Sequence, residues 1–249
     1  LTRVYGTAFL EKEELEKHLQ AVEDAKKNDH RKLGTELDLF AIDSENVGPG
    51  LILWLPKGTI IKDELENFGK EIEKKEGYQR VSTPHIAKEQ LFITSGHLPY
   101  YANDMFPPMK AEDGNYYLKP MNCPHMYMVY RSKPHTYKEL PIRYAEFGTV
   151  YRNEDSGTLM GMMRVRGLTQ NDAHIFCTED QAIEELIKVM KLHDFYYKTF
   201  GLDNYYIELA LPDLKNKDKY FDDPKEWEKA VGILKEAAKQ AKFEVTEEV

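Results

Sequence analysis

Between Arg152 and His174 the chain gathers groups that bind anions and metals. Arg152, Arg164 and Arg166 supply guanidinium forks, Glu154 and Asp172 carboxylates, and His174 an imidazole, around a glycine-broken, methionine-rich turn. Guanidinium forks grip carboxylate or phosphate in bidentate fashion, so the chemistry on offer is recognition of a phosphate-bearing substrate. The plainer reading of an arginine-rich turn is a salt-bridged surface hairpin. Cys123 and His174 are both metal donors, but they lie too far apart for a local zinc-finger spacing, and either could be a packed core residue. His97, in the run Thr94-Ser95-Gly96-His97, could carry a proton, although a lone loop histidine is usually only solvated.

Several elements must hold these groups. Residues 147–151 and 173–176 read as strands, which makes the arginine segment a strand–loop–strand hairpin. Residues 11–30 read as a charged helix with one apolar stripe (Leu15, Leu19, Val22), closed by Gly34. Residues 51–55 form a short apolar strand, after which Thr59 caps a helix with Ile61, Leu65, Phe68 and Ile72 inward and Gly77 as its stop. Residues 78–81 return as a strand. Thr178 to Gln181 is a capping box that opens a helix with Ile183, Leu186, Ile187 and Met190 inward. Residues 205–211 make a strand, Asp223 and Pro224 open a last helix, and residues 244–249 read as a strand cut short. Strands and helices mix without βαβ alternation, which predicts an α+β fold with an antiparallel sheet flanked by helices. Neither G-x-G-x-x-G nor G-x-x-x-x-G-K-[ST] occurs, so Rossmann and P-loop chemistry are not expected.

With 249 residues and 41% hydrophobic content, the chain can bury one good core plus a small appendage. A net charge of −9 confines any RNA contact to a local basic patch. Two cysteines cannot build a disulfide framework, which favours a reducing, cytoplasmic setting. No apolar run is long enough to span a bilayer and no signal peptide is evident, so no membrane partner is expected. The start at Leu1 and the strand at the end suggest a fragment at both ends.

The order of residues from Arg152-Asn153-Glu154 to His174-Ile175-Phe176 resembles motif 2 of class II aminoacyl-tRNA synthetases, and within that class the threonine-specific family. Leu118-Lys119-Pro120-Met121-Asn122-Cys123-Pro124 matches a second family pattern, and Ala145-Glu146-Phe147-Gly148 a third. The resemblance implies a connector helix in residues 1–34 and a class II catalytic domain in 35–249. That domain would carry motifs 1 and 2 but not motif 3, with its sheet incomplete at the C-terminal end. The helix, strand and Pro84 of residues 59–84 would be motif 1, the homodimer interface. The implied activity is ATP-dependent activation of L-threonine to threonyl-adenylate and transfer to threonine tRNA. This stretch alone is expected to be inactive. The alternative is a non-catalytic class II-like fragment or paralogue that binds RNA or a partner protein.

Residue by residue, the resemblance makes Arg152 the bridge between amino-acid carboxylate and α-phosphate. Glu154 would meet the adenine amino group and Arg164 the γ-phosphate, with Arg166 structural. Leu168 stands where the family has a phenylalanine stacked on adenine, and Asn171 where an aspartate is common. Cys123 and His174 match two ligands of a catalytic zinc whose third, a histidine, would lie outside this chain. Zinc would take the amino and hydroxyl groups of threonine, Asp172 would accept from that hydroxyl, and Gln170 and Met121 would shape the pocket. Such a site rejects valine far better than an apolar pocket, which is limited to about 10²-fold against an isostere differing by a hydroxyl. Serine would still need a separate editing site. Mg2+ is implied by ATP, and His97 would lie near the terminal ribose of tRNA and assist proton transfer.

Overall fold

The computed structural model describes residues 2–202, 204–215, 220 and 222–248. Helix α1 (Lys12–Lys27) has Glu13 and Glu14 in its first turn and Lys26 and Lys27 in its last, the charge order that complements the helix dipole. It buries no residue, and its stripe residues Leu19 and Val22 stay exposed. Asp29 then caps α2 (His30–Glu36), accepting from the Arg31 amide at 2.8 Å. Gly34 does not close this region as expected. It lies inside α2, where a Cβ would overlap the ring of Phe40, so glycine serves close approach rather than termination.

Strands β1 (Phe40–Ile42) and β2 (Ile52–Trp54) pair antiparallel. Helix α3 (Pro56–Lys75) begins at Pro56, not after Thr59, because proline's fixed φ and missing N–H suit the first helical position. Its packed face also corrects the expectation. The buried residues are Gly58, Gly69 and Glu73, whereas Ile61 and Leu65 are each 48% exposed and Ile60 63%. Gly58 sits so near β1 that a Cβ would overlap the Leu39 carbonyl, and Glu73 pairs with Arg80 at 3.1 Å. Phe68 and Ile72 of the same expected stripe are half-buried, so periodicity found only part of the packed face, because a close-packed glycine face carries no apolar signal.

After α3 come β3 (Gln79–Arg80), β4 (Ile86–Lys88), α4 (Glu89–Thr94), α5 (His97–Tyr100), β5 (Met109–Ala111), β6 (Gly114–Leu118) and α6 (Cys123–Arg131). The chain continues through β7 (Ile142–Tyr151), β8 (Gly167–Phe176), α7 (Glu179–Thr199), β9 (Ile207–Ala210), α8 (Pro224–Ala241) and β10 (Val245–Glu248). β7 is central to a β3-β7-β8 sheet, and β4-β6-β5 is an antiparallel sheet. β3 runs parallel to β7, and β10 to β9, within an otherwise mixed helix and sheet fold of the expected class. The hairpin strands β7 and β8 are longer than the apolar runs that announced them.

Two compact units form. One comprises residues up to Lys133 with Tyr144–His174, and its core is built on Phe92, Met105 and Tyr117 with Ala87 and Leu98 against them. The other comprises Pro134–Arg143 and residues from Ile175 onward. There the Thr178–Gln181 capping box opens α7 as expected, and Asp223 caps α8 by accepting from the amides of Lys225 and Glu226. Among the described residues, no helix is long and apolar enough to cross a membrane.

Candidate functional site

Strand β8 sorts the candidates by parity. Thr169, Asn171 and Ala173 are exposed, while Leu168, Gln170, Asp172 and His174 are half-buried. Strand side chains alternate between faces, so four residues singled out for different tasks share one face. Three of them, Gln170, Asp172 and His174, are reached from the segment 119–123 between β6 and α6, which also touches Arg152 and His97. The Pro120 carbonyl accepts from Arg152 Nε at 3.4 Å. Met121 Sδ lies 3.3 Å from His97 Nε2. Asn122 Nδ2 donates to Gln170 Oε1 at 3.5 Å. Donor atoms of Cys123, Asp172 and His174 all lie within 4.8 Å of one another.

Buried polar contacts hold this segment rigid. Lys119 is 1% exposed; its Nζ donates to Thr83 Oγ1 at 2.8 Å and lies 3.7 Å from Glu146 Oε2. Glu146 in turn accepts from the Thr83 amide at 2.6 Å. Burial pushes the lysine pKa down, against the pull of Glu146 and then Asp172. A buried charge left without its partner would be costly, and this arrangement avoids that. The Lys119 backbone is tied at both ends, donating to His85 O and accepting from Tyr151 N, each at 2.9 Å. Gly148 on β7 makes room for Asn122, since a Cβ would overlap the carboxamide. Sequence reasoning quoted Lys119 and Glu146 inside motifs but gave them no role. A lysine in a proline-flanked, otherwise apolar run was the available signal.

Helix α6, which periodicity did not reveal, starts at Cys123 with Pro124 in its first turn. A helix N-terminus favours a thiolate, but burial first and then the Asp172 carboxylate push the Cys123 thiol up. His174 Nδ1 is buried and has no hydrogen-bond partner among the described residues; Asp172 Oδ1, at 4.0 Å, is beyond bonding range. Sulfur, carboxylate and imidazole donors converging beside an orphaned ring nitrogen fit a zinc ion. Asp172 therefore stands within reach as a third donor, a place the sequence reading gave only to a residue outside the chain.

The three arginines take different partners. Arg166 Nε donates to the Glu154 carbonyl at 2.9 Å, a backbone clamp, and its amide donates to Gly50 O at 2.7 Å. Arg164 is 55% exposed and its Nε donates to Glu154 Oε2 at 2.8 Å. The Arg152 amide continues the hairpin by donating to Arg166 O at 2.9 Å. His97 is not the solvated loop residue that its position suggested. It is 9% exposed, with Nδ1 3.0 Å from Ser95 Oγ and its ring against Phe92 and Tyr101. Burial pushes its pKa down, against the Ser95 hydrogen bond, and so favours the uncharged ring.

Residues 106–249 match the family model of the tRNA synthetase class II core domain (G, H, P, S and T). The threonine–tRNA ligase of Cytophaga hutchinsonii is 51% identical over 99% of this chain, and that of Halalkalibacterium halodurans 49% over 99%. The chain spans 39% and 38% of the lengths of these curated relatives. A crystal structure described as the RNA binding domain of threonyl-tRNA synthetase from Cryptosporidium parvum superposes with a TM-score of 0.80 at 35% identity, over 88% of this chain and 53% of that one. The chain therefore belongs to the class II tRNA synthetase core family, and it is with that family's threonine–tRNA ligases that it shares about half its residues.

Proposed function

We propose that this chain carries the activation site of a threonine–tRNA ligase, in which ATP and L-threonine give threonyl-adenylate and the threonyl group then passes to threonine tRNA. The observation that carries the reading is segment 119–123, whose successive residues contact Arg152, His97, Gln170 and the Asp172–His174 pair. Arg152, oriented by the Pro120 carbonyl, bridges the substrate carboxylate and the α-phosphate, where charge builds as the carboxylate attacks. Arg164 serves the γ-phosphate and Glu154 the adenine amino group; without nucleotide each neutralises the other. Leu168 gives adenine an apolar contact without a π-face. Gln170 and Met121 shape the amino-acid pocket, and Asp172 accepts a hydrogen bond from the threonine hydroxyl.

Cys123 and His174, with Asp172 in reach, would hold zinc. When bound, zinc supplies a Lewis acid that favours a hydroxyl-bearing side chain over valine. Mg2+ accompanies ATP, with no residue of this chain assigned to it. His97, neutral and held by Ser95 beside the pocket, takes up a proton during transfer to tRNA. Residues 35–249 act as the catalytic domain with motifs 1 and 2, and residues 1–34 as its connector. The outward apolar face of α3, with Ile60, Ile61 and Leu65, packs against a second copy in a homodimer.

The test is threonine-dependent ATP–pyrophosphate exchange, on this chain and on one of the length of its relatives. Exchange that requires threonine and ignores valine is the expected result for the longer chain, with none for the shorter. Tight tRNA binding without exchange at either length would favour the second reading, an RNA-binding module, which the description of the Cryptosporidium structure brings to mind.

A further inference from the structure

We propose that His30 is a positioning residue whose imidazole braces the turn that presents Arg164, so that α2, ahead of the catalytic domain, helps set nucleotide affinity. The inference rests on the functional reading above for what Arg164 binds, but its geometry is independent of it. His30 Nε2 accepts a hydrogen bond from the Met162 amide at 3.0 Å, across 132 positions of sequence. Accepting there requires an unprotonated Nε2 and the proton on Nδ1, which lies 3.9 Å from Asp29 Oδ1. Gly161, at φ +50°, completes the fit, because a Cβ there would overlap the His30 ring and crowd Arg31.

The ring itself is held from behind. His30 stacks on Phe40 with ring centroids 6.5 Å apart and planes at 25°, and Phe40 lies over the bare backbone of Gly34. Asp29 fixes the start of α2 through the Arg31 amide and the Arg31 side chain, the latter at 2.6 Å. The turn has little else to hold its tip. Met160 and Met163 are 51% and 72% exposed, and the Gly50 carbonyl bonds only the hairpin base, at Arg166 and Gly167. Within the turn, Met160 and Arg164 form a two-residue bridge, with Met160 N donating to Arg164 O at 3.1 Å. Fixing the Met162 amide therefore fixes the bridge, and with it the direction in which Arg164 leaves the backbone.

The experiment measures ATP affinity by calorimetry in a chain of the length of its relatives, and Met162 amide exchange by NMR in this chain, each with the same variants. His30→Phe keeps a ring on Phe40 but removes the acceptor; His30→Gln restores an acceptor at similar reach. Loss of one net hydrogen bond predicts that His30→Phe weakens ATP binding about 3–10-fold and speeds Met162 exchange, with zinc binding unchanged. His30→Gln should recover most of both. In an Arg164→Ala background His30→Phe should weaken ATP no further, which a merely stabilising role would not produce. Equal ATP affinity in the parent and His30→Phe, or an undiminished effect without Arg164, overturns the brace and leaves the functional reading standing. If the longer parent chain binds no ATP, the functional reading falls, whereas Met162 exchange that is equally slow in the parent and His30→Phe removes the brace itself.

Discussion

A Gly148→Ala substitution would put a methyl group where the Asn122 carboxamide now lies. The nearest heavy atoms to a Cβ built at Gly148 are Oδ1, Cγ and Nδ2 of Asn122. Asn122 is 1% exposed, and Pro120 and Pro124 beside it are fully buried, so the side chain has no solvent to retreat into. Overpacking of this kind costs about 1–3 kcal/mol, and the closed surroundings place Gly148→Ala in the upper half. Asn122→Ala removes all three clashing atoms. It gives up a long bond to Gln170 and an Oδ1 that has no partner among the described residues, and it leaves a small cavity, so alone it should cost about 1–2 kcal/mol. Because the two changes compete for one volume, the double variant should be more stable than the sum of the singles by at least about 1 kcal/mol.

Urea unfolding followed by tryptophan fluorescence measures this cycle. The chain has two tryptophans, Trp54 in the unit that holds Gly148 and Trp227 in the other. In a Trp227→Phe background the signal therefore reports the relevant unit alone. Gly148→Ala should also weaken zinc binding, because Cys123 follows Asn122 directly. Additive losses to within about 0.3 kcal/mol, or a neutral Gly148→Ala, would show that segment 119–123 is not rigidly seated and would remove the argument that it aligns the site.

In a chain of the length of its relatives, Arg152→Ala should lower threonine-dependent pyrophosphate exchange by roughly 10²–10³-fold, as loss of a transition-state donor does, with zinc content unchanged. Cys123→Ser and His174→Ala should each reduce zinc stoichiometry and raise valine activation relative to threonine, and Asp172→Asn should weaken zinc by roughly 10-fold or more. Unaltered zinc content in all three, by atomic absorption, would make them core positions. Burial alone would raise the pKa of the Glu185 carboxyl, but bonds from Arg143 and Lys188 outweigh it and hold that pKa below the ordinary range. Its stabilisation is thus complete above the unfolded carboxylate's value, about 4.3, and is lost as pH falls through the lower folded value. Glu185→Gln should therefore cost roughly 3 kcal/mol at neutral pH and progressively less under acid, in denaturation series across pH.

What the sequence revealed followed from period and order. Only the apolar run 173–176 of β8 was readable as strand; Leu168, Gln170, Asp172 and His174 stood out by the order of the motif, and that they share one face follows from the strand's full length. The capping box at Thr178 and the proline start of α8 follow rules local to a few residues. What stayed hidden depended on shape. The packed face of α3 is defined by glycines at 58 and 69, which no hydrophobic pattern marks. The bond from Met162 to His30 and the Thr83–Glu146 contact join residues 132 and 63 positions apart. His97 was hidden for a related reason: its burial comes from Phe92 and Tyr101, not from any run of its own.

In the proposed reading, one face of β8 serves two substrates at once. From Leu168 to His174 the half-buried face of β8 covers six steps of about 3.3 Å each, close to 20 Å. Its chemistry changes along that length, from an apolar residue through an amide and a carboxylate to a metal-type donor. In the proposed reading, adenine lies at the Leu168 end and the threonine side chain at the His174 end, and Arg152, just after β7, pairs beside the Leu168 end through its amide bond to Arg166 O. Both ends are fixed by other elements. The Gly50 carbonyl bonds the Gly167 amide at 3.3 Å at one end, and Cys123 at the head of α6 meets Asp172 and His174 at the other. A strand pinned at both ends keeps the distance between base and side chain constant, which a loop-borne site could not do. On that reading, discrimination at the metal end would be tied to phosphate alignment near the arginines, because the two ends of the strand cannot shift independently.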